Sequence, residues 1–127
     1  MSPDNAMLVI GAVLIAIGLV MNVIPVRFNE GFFGKLDSTN TKNIAATLRI
    51  HIGGALIAIG FIAIYNRNLH AIYEAKDLVF SLGIGVGIFL LSILLSFARG
   101  FAKKIPIPPM VLLPILIIIA LYSVYIY

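Results

Sequence analysis

The chain has 127 residues, of which 61% are hydrophobic and 11% charged, with a formal net charge of +4 and a mean hydropathy of +1.11. A soluble domain carries about 25% charged residues, so this composition excludes an ordinary water-soluble fold. With no cysteine, disulfides, thiolate nucleophiles, iron–sulfur clusters and thiolate zinc sites are excluded as well. The positive balance does not point to nucleic acid, because no basic stripe is interleaved with base-stacking aromatics.

Four apolar stretches dominate: Met7–Val26, Ile44–Tyr65, Leu78–Ala98 and Met110–Tyr127. Each is close to the ~20 residues that carry a helix across the hydrocarbon core of a bilayer. The expected fold is all-α, a single integral-membrane four-helix bundle with helices at about 5–26, 40–65, 78–98 and 110–127. Four crossings leave no room within these residues for an extramembrane catalytic domain.

The first helix starts behind Ser2-Pro3-Asp4, with Pro25 weakening its last turn. It is too long for the hydrophobic region of a signal peptide, and Met21-Asn22-Val23-Ile24-Pro25 offers no small-residue cleavage site, so it reads as retained. The connection Arg27–Lys42 is turn-rich, and its Phe32 and Phe33 suit a membrane surface. The second helix has N-cap candidates between Asp37 and Asn40 and runs through Thr47, Arg49 and His51. Connection Asn66–Asp77, with His70, Tyr73, Glu74 and Lys76, reads as one surface turn. The third connection, Arg99–Pro109, holds Lys103 and Lys104 and then Pro106, Pro108 and Pro109, which favour a stiff extended lead into the fourth helix.

Lys and Arg are concentrated in the first and third connections, and the tails beyond the helices have none. The positive-inside rule then places those connections in the cytoplasm and both termini outside, in a prokaryotic inner membrane. Tyr122, Tyr125 and Tyr127 form the outer aromatic belt of that arrangement.

Lipid is as apolar as leucine, so membrane helices are held together by close approach at small residues. Gly11 and Gly18 lie seven apart on the first helix, and Gly53 and Gly60 seven apart on the second. On the third, Ser81, Gly85, Ser92, Ser96 and Arg99 form one stripe, expected to face the bundle core, while Gly83 and Gly87 form a separate G-x-x-x-G. The fourth helix, nearly all Leu, Ile and Val, reads as facing lipid or another membrane protein.

Arg49 and Arg99 stand at the cytoplasmic ends of the second and third helices, on their small-residue stripes, and Asn22 joins the same level. Guanidinium forks suit phosphate or carboxylate. Three readings stay open for them: snorkelling to headgroups, pairing to Glu30 or Asp37, or a functional anion or headgroup site. His51, about 200° around the helix from Arg49, is a candidate ligand for haem, pigment or metal, without a matching partner. All five carboxylates (Asp4, Glu30, Asp37, Glu74 and Asp77) fall outside the apolar stretches. That argues against a proton-coupled transporter, and no paired-carboxylate, H-E-x-x-H or G-x-S-x-G motif supports an enzyme.

The segment Leu48-Arg49-Ile50-His51-Ile52-Gly53-Gly54 with Gly60, the terminal Arg99 before Gly100 and Pro106, and the Asn22, Pro25, Phe28 element resemble a family of small bacterial four-helix membrane proteins, DoxX-like in general form. Ser96-Phe97-Ala98-Arg99 departs from its pattern. The resemblance implies a four-helix bundle and no settled activity. The function expected from the sequence is a non-catalytic accessory or structural subunit without a cofactor, associating with lipids, other membrane subunits or itself. The alternatives are an anionic or amphipathic ligand held by Arg49, Arg99 and Asn22, and a cofactor subunit using His51.

Overall fold

A computed structural model describes residues 1–68, 71–102 and 106–127. All regular structure among them is helical: α1 (Pro3–Val23), α2 (Pro25–Phe33), α3 (Thr39–Asn66), α4 (Ile72–Ala98) and α5 (Ile107–Tyr125). Four of these, all but α2, are long and apolar enough to cross a membrane. This is a membrane protein by the composition of its helices.

α1 opens on Ser2, whose Oγ accepts from the Asn5 N–H at 3.3 Å, with Pro3 in the first turn where no N–H is needed. It ends sooner than the sequence suggests. A proline disfavours helical backbone in the residue before it, and Ile24 accordingly leaves the helix at φ −130°, ψ 57°. Pro25 does not fray the end of α1; it begins α2. The stretch read as a turn-rich connection therefore carries a nine-residue helix, closed by Gly34 at φ 75°.

α3 is capped by Ser38, whose Oγ accepts from the Thr41 N–H at 3.0 Å. α4 starts at Ile72, ahead of the expected Leu78. Glu74, Lys76 and Asp77 contain no helix breaker, and the acidic first turn suits the helix dipole. α4 ends in a Schellman motif: the Phe101 N–H reaches the Ser96 carbonyl, the Gly100 N–H reaches that of Phe97, and Gly100 sits at φ 78°. α5 starts at Ile107, with Pro108 and Pro109 inside its first turn instead of in an extended lead. His70, Lys103 and Lys104 lie outside the described residues.

The long helices form two antiparallel pairs, α1 with α3 and α4 with α5, and α1 also touches α4 and α5. Gly11 meets Gly60 and Gly18 meets Gly53 so closely that a Cβ on Gly11 would lie 2.7 Å from the Gly60 carbonyl oxygen. In the other pair, Ala75, Val79, Gly83 and Val86 of α4 meet Leu113, Leu116, Ala120 and Ser123 of α5, all buried. A Cβ on Gly83 would lie 2.8 Å from that of Ala120, and Phe80 meets Tyr125 edge-on at 6.3 Å. One face of α5 is thus committed to the bundle, not only to lipid.

Candidate functional site

α2 is short and two-sided. Phe28, Asn29 and Phe32 share the face it lays against α3, while Val26, Arg27 and Gly31 are exposed. That face receives Arg49. Its Nε donates to Asn29 Oδ1 at 2.8 Å, and its guanidinium carbon lies 5.0 Å from the Phe28 ring centroid and 5.8 Å from that of Phe32. The two rings are 4.8 Å apart. A cation over aromatic faces gains about 0.5–2 kcal/mol, more as water is excluded. Asn29 is only 2% exposed, and its Nδ2 has no hydrogen-bond partner.

Position along α3 matters as much as neighbours. From Arg49 to Asn66 the helix rises roughly 26 Å, close to the ~30 Å hydrocarbon thickness. Arg49 therefore lies about one hydrocarbon thickness from the far end of α3, and the preceding turns of α3 run on beside α2.

Asn22 lies in the seam between α1 and α3. Its Nδ2 donates to the Gly18 carbonyl at 2.9 Å and across the helix pair to the Ile50 carbonyl at 3.4 Å. Both of its N–H groups are taken, so it clamps α1 to α3. Gly53 makes this possible, since a Cβ there would run into Asn22 Nδ2. Arg99 is exposed at the end of α4, its guanidinium carbon 5.0 Å from the Phe101 ring centroid. Among the described residues Arg49 and Arg99 share no side-chain contact: Arg49 meets Asn29, Phe28 and Phe32, and Arg99 meets Phe101. His51 is exposed on α3.

The packing residues divide the same way. Gly11, Gly18, Gly53 and Gly60 lie in the α1–α3 seam. Gly85 has nothing within 4 Å of an added Cβ, Ser92 is exposed, and Ser96 is half-buried. The α4 stripe expected to face the core is turned largely outward, and Gly83 takes the inward position. The Ser81 and Ser92 hydroxyls bond back to the Leu78 and Phe89 carbonyls of their own helix.

The residue that sequence reasoning missed is Asn29, together with the helix that presents it. The signal was there: Phe28 and Phe32 stand four apart behind a proline able to open a helix. No family model matches the chain, and neither curated proteins nor solved structures yield a match.

Proposed function

We propose that this chain is a non-catalytic subunit of a membrane assembly, seated in a prokaryotic inner membrane and working by lateral contact with transmembrane helices of other subunits. The observation that carries this is the outward line of Ser81, Gly85 and Ser92 on α4. A helix that meets only lipid gains nothing from small residues, whereas a helix that meets another helix does, because they let the backbones approach. The partner chemistry this favours is an apolar transmembrane helix, from another polypeptide or a second copy. The kinship with small bacterial four-helix proteins implied by Arg49 before Gly53-Gly54 belongs to the same reading.

The orientation in this reading has both termini outside and α2 on the cytoplasmic leaflet. It rests on Arg27, Lys35 and Lys42 around α2, opposite tails free of Lys and Arg.

The test uses native-lipid particles extracted without detergent. Wild type is expected above the 13.7 kDa of one chain, with stoichiometric protein in addition to lipid. Gly85→Leu adds bulk where an added Cβ meets nothing, so it should keep the melting temperature and reduce the particle to one chain. A wild type found only as a single chain would overturn the reading.

A further inference from the structure

The α2–α3 seam holds donors that meet no acceptor among the described residues. Asn29 Oδ1 is taken by Arg49 Nε, which fixes the plane of the guanidinium and leaves both Nη groups without an acceptor among the described residues. No carboxylate among them comes within 4.0 Å of Arg49, although Glu30 adjoins Asn29 in the chain. Asn29 Nδ2, on a side chain 98% buried by its 2% exposure, is a second donor with no acceptor. An unsatisfied buried amide of this kind costs about 1–3 kcal/mol, and its presence in a seam that also holds an unpaired cation calls for an acceptor from outside the chain. The surrounding charge points the same way, since residues 25–50 carry a net +2.

We infer that this seam is an oxyanion site for a phosphate group, with the Arg49 Nη atoms as the contacting donors and with Asn29, Phe28 and Phe32 as positioning residues. The planar fork matches two phosphate oxygens, and a third oxygen directed into the seam gives Asn29 Nδ2 its acceptor. Seating it requires α2 to ease away from α3 by about the width of an oxygen. Both ends of α2 allow this: Ile24 is a single non-helical residue between two helices, and Gly34 has a left-handed backbone. The phosphate belongs to a lipid headgroup or to free phosphate, which share this chemistry. The site stands independently of the lateral contact on α4, which a different variant probes.

The experiment is native mass spectrometry of the full, delipidated chain in a non-ionic detergent. The probes are phosphatidylglycerol, a diacylglycerol of the same chains, and inorganic phosphate. Wild type should retain phosphatidylglycerol about tenfold or more over diacylglycerol. Arg49→Gln should abolish the difference, and Arg67→Gln, beyond α3's other end, should leave it unchanged. Arg49→Lys keeps the charge without the fork and should lose at least threefold, which secures the result if Arg49→Gln fails to fold. Displacement by millimolar inorganic phosphate assigns the site to free phosphate, and resistance assigns it to the headgroup. Equal retention of the two lipids by wild type, or unchanged preference in both Arg49 variants, would overturn the proposal.

Discussion

At Gly53 an added Cβ would stand 2.7 Å from the Gly18 carbonyl oxygen and 2.8 Å from Met21 Cβ, whereas at Gly54 it would meet nothing within 4 Å. Behind the Asn22 amide, the neighbours at Gly53 are backbone and the stem of a packed side chain, which cannot swing aside. Gly53→Ala should therefore destabilise the α1–α3 pair by about 1–3 kcal/mol, the usual cost of overpacking. Gly54→Ala should be neutral or stabilising by up to about 1 kcal/mol, since alanine is the better helix former. Equilibrium unfolding in mixed micelles separates the two, and equal effects would mean that the seam is not where these residues meet. Asn22 belongs to the same contact. Asn22→Ala should cost about 1 kcal/mol, and a neutral result would show that its reach to the Ile50 carbonyl carries no weight. The importance of Gly53 and Gly60 was legible in their seven-residue spacing. That Asn22 uses its amide on a neighbouring backbone depends on how close the second helix comes and was not.

Helix ends show where local chemistry suffices and where it does not. Ser38 lies among the residues read as caps, and it does cap α3. Ser38→Ala should lower stability by about 1 kcal/mol, visible as faster proteolysis between α2 and α3. Gly100 ends α4 with a positive φ that an L side chain adopts at a cost of about 1–2 kcal/mol. Gly100→Ala should show that loss in the same unfolding assay, and an unchanged midpoint would contradict the left-handed end of α4. The prolines were harder to read. A proline stops the helix before it and starts the helix after it, and at Pro25 and again at Pro108 and Pro109 the second role prevails. In α2 the deciding interaction is remote: Phe28, Asn29 and Phe32 form a face only because Arg49 of α3 stands against it.

Across the whole molecule, four spans were plain from hydropathy, and glycines seven apart marked the packing faces of α1 and α3; that those two faces meet each other was not. The choice of face on α4 was not, because two small-residue lines compete on that helix. Ser81, Gly85 and Ser92 have a helical period as regular as Val79, Gly83 and Val86. The second line wins the interior because Ala120 of α5 offers Gly83 a matching shallow surface, an interaction between residues far apart in sequence. The α4 hydroxyls are left outward, and the reading of the chain as a laterally associating subunit follows from that.

All of this supposes four crossings, with α2 and the chain ends on opposite faces of the bilayer. Because the chain has no cysteine, single substitutions can report on this without background. Asp4→Cys, Asp37→Cys and Asn68→Cys would be treated with a membrane-impermeant maleimide in sealed vesicles of one orientation. Residues 4 and 68 should label from the same side, and residue 37 only after the membrane is opened or the vesicles are inverted. Labelling of residues 4 and 37 from one side would contradict the account.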